Sequence, residues 1–207
     1  MIPNLLELGI DEAGRGPVLG PMVLAGVVVP EYRQELLKTW NVGDSKQYGS
    51  HARGKHKRFE IAGRIKHEFE HYIVIIPSTQ IDHYVQTKSL NILEQETALQ
   101  IIDTLRSDTV VLDGYNLFRP ITKKNISAVN KADQSYLSVA AASIIAKHTR
   151  DVEFDQWCQK YRGDFGQIKG GGYANQATLK FVQWHLSQFG KLPDCYRKSY
   201  YWKALSN

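Results

Sequence analysis

Apolar residues in this chain follow two rhythms, short runs rich in β-branched side chains and longer stretches repeating every three to four positions, and each rhythm predicts a different element. Leu5 to Ile10 reads as a strand and Val18 to Val29 as a second, joined through the turn-prone segment Asp11 to Pro17 into a hairpin buried on both faces. Between His51 and His71, Phe59, Ile61, Ile65 and Phe69 recur at roughly helical spacing, and Tyr72 to Ile76 then reads as a third strand ending at Pro77. Asn91 to Leu105 sets Leu93, Thr97, Ile101 and Leu105 along one helical face. A fourth strand, Thr109 to Leu112, stops at Asp113-Gly114, and Ile126 to Val129 makes a short fifth. Ser135 to Trp157 is helical, with small residues from Ala140 to Ser143 suited to close packing on a sheet. Gly170, Gly171 and Gly172 separate it from a last helix at about Gln176 to Phe189. A hairpin followed by alternating helices and strands predicts the α/β class with a mixed sheet.

With 207 residues, 43% of them hydrophobic, the chain has material for one core, so the expectation is a single domain over 1–207. About 163–207 is expected to form a C-terminal helical extension, and Gly163 to Gly172 is the candidate flexible loop. Lys and Arg number 26 against 21 Asp and Glu, a net charge of +5 that favours a polyanionic partner without identifying it. Cys158 and Cys195 have no ligand-like spacing, which argues against a zinc site or a disulfide framework and for a reducing cytoplasm. An acidic residue interrupts the first apolar stretch and no basic region precedes it, which argues against a secretory signal. The longest uncharged apolar stretch, Val18 to Pro30, is too short to span a bilayer, so a soluble protein is expected.

The chemistry-bearing residues are acids at strand ends. Asp11 and Glu12 close the first strand, Asp113 lies at the C-terminal edge of the fourth, and Asp133 precedes the long helix. If strands one and four are neighbours, these four carboxylates converge, and such an oxygen-rich cluster suits hard divalent cations. Plainer readings stand beside this one. Asp113 before Gly is a common turn residue, Asp133 is an ordinary helix cap, and Asp11 and Glu12 fit a solvated turn. Gly14-Arg15-Gly16 is either a tight hairpin turn or a loop whose backbone amides meet a ligand closely.

Taken together, GIDEAGRGPVLGPMVLAGVVV, VGDSK at Val42 to Lys46, VVLDGYN at Val110 to Asn116 and KADQSYLSVAAASIIAKHTRD at Lys131 to Asp151 resemble the ribonuclease HII family. The likeness extends through Gly172-Tyr173 and Arg197-Lys198-Ser199-Tyr200, over nearly the whole chain. It implies a ribonuclease H-like fold with a five-stranded mixed sheet flanked by helices. It also implies hydrolysis by two divalent cations, Mn or Mg, held by Asp11, Glu12, Asp113 and Asp133. The substrates implied are RNA·DNA hybrids and duplex DNA with embedded ribonucleotides, cut on the 5′ side to leave 5′-phosphate and 3′-hydroxyl ends. In this family the loop matching Gly14, Arg15 and Gly16 meets the ribose 2′-hydroxyl, and the tyrosine matching Tyr173 stacks near the following deoxyribose.

The chain departs from that pattern where Gly-Tyr is usually followed by Gly, Thr and then a His: here stand Ala174, Asn175 and Gln176, with Thr178 near the expected His. The end usually reads His-Arg-x-Ser-Phe, and this chain has Tyr196, Arg197, Lys198, Ser199 and Tyr200. Ser45 and Lys46 either suit a DNA-strand phosphate or belong to an exposed loop, and Lys147 and Arg150, one turn apart, are expected near the active site. The basic run Arg53 to Arg64, including Lys55, Lys57 and Arg58, is read as a solvated helix face in preference to an extension of that phosphate track, and Trp157, Trp184 and Trp202 as packing residues. The expectation is a monomeric, metal-dependent endoribonuclease with no protein partner inferable. Its rivals are a non-catalytic hybrid-binding module and a ribonuclease H that needs several consecutive ribonucleotides.

Overall fold

The computed structural model describes residues 5–43 and 52–205, and their contacts group the chain into two compact units. The first comprises Met1–Ala13, Val23–Val74 and Glu94–His148; the second comprises Gly14–Met22, Ile75–Leu93 and Thr149–Asn207.

At the centre of the first unit is a mixed sheet of five strands, β1 (Leu6–Ala13), β2 (Met22–Pro30), β3 (His71–Ile76), β4 (Thr109–Asp113) and β5 (Ile126–Val129), ordered β3-β2-β1-β4-β5. β1 runs antiparallel to β2 and parallel to β4, which runs parallel to β5. β2 is buried at every position but its last, as a strand covered on both faces must be. Two helices supply apolar stripes. α2 (Ala52–Glu68) turns Arg58, Ile61, Ala62 and Ile65 inward, and α4 (Leu90–Thr104) carries the predicted face of Leu93, Thr97 and Ile101, continued by Leu105. Burial of each large apolar side chain on these stripes contributes about 1.5–3 kcal/mol.

The long helix α6 (Leu137–Gln159) crosses β1 at Gly9. A Cβ there would lie 2.1 Å from the Ser138 carbonyl carbon and 2.2 Å from the Val139 nitrogen, so only glycine allows this approach. The small residues Ala140 to Ser143 are buried just beyond, as their size predicts.

An aromatic cluster builds the second unit. Phe154, Phe181 and Tyr196 are buried in it, with Trp157, Tyr161, Phe165, Trp184 and Trp202 packed around them, so these three tryptophans are partly buried packing residues. Trp157 meets Phe181 edge-on at 5.5 Å between ring centroids. α7 (Gln176–Phe189) is capped by the Asn175 side chain, which accepts from the Thr178 amide at 3.0 Å, and it ends at Gly190 in the left-handed conformation.

Several expectations shift. β1 continues through Asp11 and Glu12 to Ala13, because its ladder with β2 persists to the Ala13–Val23 pair; the two acids lie in the strand, not in the turn. Val18 to Pro21 falls outside β2, since the amides of Val18 and Leu19 donate to Gly172 O and that of Gly20 to Cys195 O. α1 (Gln34–Thr39), α3 (Ser78–Thr87) and the single turn α5 (Tyr115–Phe118) were not anticipated. Phe59, placed on the inward face of α2 by its spacing, is 59% exposed. No described helix is long and apolar enough to cross a membrane.

Candidate active site

β1 and β4 pair in parallel up to Ile10 and Leu112, so Asp11 and Asp113 are the next residues on adjacent strands. Asp11 is 5% exposed, whereas Glu12 and Asp113 are half-buried. Burial and the neighbouring charges of Glu12 and Asp113 push the Asp11 carboxyl up to about 8; the Lys147 ammonium and a hydrogen bond from Ser143 oppose this. Asp113 accepts from the Ala132 amide at 3.0 Å, which ties β4 to the short 3-10 turn Ala132–Gln134 that carries Asp133. Asp133 is therefore not the cap of α6; the left-handed Lys131 starts its turn.

Asp133 lines a cleft of about 110 Å³ with Gly43, Arg58, Ala140, Ser143, Ile144 and Lys147. Lys147 donates to Ser143 in the same cleft. Asp11 thus feels the charges of Glu12 and Asp113, and Asp133 shares Ser143 and Lys147 with Asp11 as neighbours. Among the described residues no three His, Cys, Asp or Glu side chains are gathered tightly enough to hold a metal ion as they stand. Donor chemistry nevertheless fits one: the acids offer only oxygen, and the Asp11 carboxyl, raised by burial and then by its acidic neighbours, is the kind of group that a divalent cation stabilises.

Arg58 departs from the solvated helix face expected of its basic run. It is 7% exposed and faces the cleft, not solvent. Its signal was the helical stripe itself, because Ile61, Ala62 and Ile65 follow it at three, four and seven positions. Ser45 and Lys46 lie outside the described residues.

Within the second unit, Gly14, Arg15 and Gly16 form a loop with Gly14 at φ +86°. The Arg15 side chain donates to Asn91 Oδ1 at 2.8 Å. Tyr173, 52% exposed, has its ring 3.6 Å from where a Cβ on Gly16 would sit, so loop and aromatic face border the same space. Arg150 belongs to this unit: its guanidinium donates to Gly171 O and lies 4.7 Å over the Phe154 ring. It supports the glycine block, while Lys147 faces the acids of the first unit.

A family model described as Ribonuclease HII matches residues 8–203. A Ribonuclease HII of Methanobrevibacter smithii is 34% identical over 202 residues, spanning 93% of this chain and 94% of its own. The crystal structure of ribonuclease H2 from Pyrococcus horikoshii OT3 superimposes with a TM-score of 0.80 at 27% identity, covering 95% of this chain and 94% of that one. The RNase HII of Archaeoglobus fulgidus, solved in complex with PCNA, gives 0.79 at 30% identity, covering 95% and 96%. Bst-RNase HIII, in complex with Mn2+, shares the fold at a TM-score of 0.77 and 22% identity, covering 95% of this chain and 67% of its own.

Proposed function

This chain belongs to the ribonuclease HII family of metal-dependent endoribonucleases acting on RNA·DNA hybrids, and on that premise we propose that it also incises duplex DNA on the 5′ side of embedded ribonucleotides. Asp11, Glu12 and Asp113 are direct metal ligands, and Asp133 completes the second metal position. Two divalent cations, manganese or magnesium, supply neutralisation of the scissile phosphate and activation of the attacking water when bound there. Ser143 and Lys147 orient and balance Asp11. Arg58 and Lys147 give the cleft its positive charge toward substrate phosphate. The products carry 5′-phosphate and 3′-hydroxyl ends.

The loop Gly14, Arg15 and Gly16 reads the ribose 2′-hydroxyl through its amides, and Tyr173 packs on the adjoining sugar, an arrangement supported by their 3.6 Å approach. Ser45 and Lys46 contact the DNA strand. Because the Archaeoglobus fulgidus relative was solved with PCNA, a sliding clamp is proposed as a partner, although no motif in this sequence suggests one. The cytoplasm is the proposed location.

The observation that carries the reading is Asp11 and Asp113 side by side at the end of the β1–β4 pairing, with the Asp11 carboxyl raised first by burial and then by the Glu12 charge. The experiment compares three duplexes, with one embedded ribonucleotide, with four in a row and with none, each with and without Mn2+. Cleavage of the first two only, requiring Mn2+, is expected. Binding without cleavage points to the hybrid-binding module, and cleavage of the four-ribonucleotide duplex alone removes the single-ribonucleotide activity.

A further inference from the structure

We propose that Arg197 and Tyr200 are positioning residues that hold the amides of the Gly14–Gly16 loop toward substrate and so set the enzyme's preference for a ribose 2′-hydroxyl. The proposal rests on the reading of that loop given above.

Arg197 is fully buried, and among the described residues no carboxylate pairs with it. Its guanidinium instead donates to three main-chain carbonyls of one loop. Nη2 reaches Gly14 O at 2.6 Å, Nη1 reaches Arg15 O at 2.9 Å, and Nε and Nη2 reach Gly20 O at 3.1 and 3.0 Å. The Tyr200 hydroxyl donates to the same Arg15 O at 2.7 Å and accepts from Arg197 Nη1 at 3.2 Å. The Arg197 amide also donates to Val18 O at 2.9 Å. The segment bearing both residues is anchored in turn by Asp82 on α3, which accepts from the Lys198 amide at 3.0 Å, the Ser199 amide at 2.9 Å and the Ser199 hydroxyl at 2.6 Å.

Peptide geometry gives this clamp a consequence. No peptide bond among the described residues is cis, and in a trans peptide the carbonyl of one residue and the N–H of the next point in opposite directions. With Gly14 O and Arg15 O drawn to the guanidinium, the N–H groups of Arg15 and Gly16 point away from it. Gly16 is exposed and its Cβ position lies against the Tyr173 ring, so the outward amides and that ring face one space. Consecutive outward amides are a receptor for an electronegative oxygen. A buried cation without a carboxylate is costly, and an apolar side chain filling the same volume would avoid that cost without orienting the loop. Tyr200 adds a hydroxyl at a position where a phenylalanine would supply only the ring.

The test measures kcat/KM on a duplex containing one ribonucleotide and on the same duplex carrying a 2′-fluoro-2′-deoxynucleotide at that position. Tyr200→Phe removes one oxygen and keeps the ring, so it remains informative if Arg197→Lys fails to fold. The ribose preference is expected to narrow about threefold to tenfold in Tyr200→Phe, the scale of one hydrogen bond, and further in Arg197→Lys. Mn2+ affinity by calorimetry is expected to match wild type in both. An unchanged preference in folded Tyr200→Phe overturns the proposal, as does an equal fall on both substrates, which general loosening produces. Absence of any ribose preference in the wild-type enzyme defeats the loop reading itself, and that failure is visible before a substitution is made.

Discussion

Asp11 is the residue where function and stability oppose each other. Its folded-state proton affinity, pushed up to about 8 from an ordinary 3.8, means that the metal-free fold holds a proton which the unfolded chain releases. Its stabilising contribution is complete below about pH 4 and is lost as pH rises through about 8. The metal-free protein is therefore expected to show a Tm that falls across that window. Asp11→Asn, which cannot ionise, should flatten the fall and melt higher than wild type at pH 8 while losing activity. A wild-type Tm independent of pH, or the same slope in the variant, contradicts this. Arg58 makes a second prediction: Arg58→Met should keep the fold and reduce the log–log salt slope of hybrid affinity by about one, as expected for one lost phosphate contact. That Asp11 and Asp113 stand where apolar runs stop was legible, because a charged residue after such a run stands out, although β1 itself continues past Asp11. Arg58 was not, because a basic run reads as solvated until its register with Ile61 and Ile65 is noticed.

Among elements, close approach and open space give opposite predictions for the same substitution. Gly9→Ala places a methyl 2.1 Å from the backbone of α6 and should destabilise by at least about 1–3 kcal/mol, seen as a lower denaturation midpoint. Gly63→Ala, inside α2 with nothing within 4 Å of its Cβ position, should stabilise by about 0.5–1 kcal/mol. Equal effects from the two would show that the strand–helix contact at Gly9 is not tight. β4, β5, α4 and α7 were readable because each combines strong periodicity with a clear stop or cap. The end of β1 was not, because Asp11 and Glu12 break the apolar rhythm while the hydrogen-bonded ladder runs on. α3 escaped because it buries only Ser78 and Ile81, leaving no stripe to detect.

At the scale of the whole molecule, the chain alternates between two units through interleaved segments. Each unit holds one part of the proposed chemistry: the acids in the first, the loop with Tyr173 and Arg197 in the second. The mixed α/β sheet was legible from the order of strands and helices, whereas the contacts that separate the units are long-range and leave no local pattern. A net charge of +5 predicts that hybrid affinity falls with added salt, with a negative slope of log K against log salt. In the proposed reading, the acids on β1, β4 and the turn before α6 form one metal-dependent hydrolytic centre. Its most direct test is cleavage of an RNA·DNA hybrid by wild type and Asp113→Asn over a Mn2+ titration, with hybrid binding measured in parallel. Wild-type cleavage is expected to rise from zero with Mn2+, and the variant to bind the hybrid yet cut at least about a hundredfold more slowly, the scale of a lost metal ligand. Cleavage without a divalent ion, or near wild-type turnover in the variant, would contradict it.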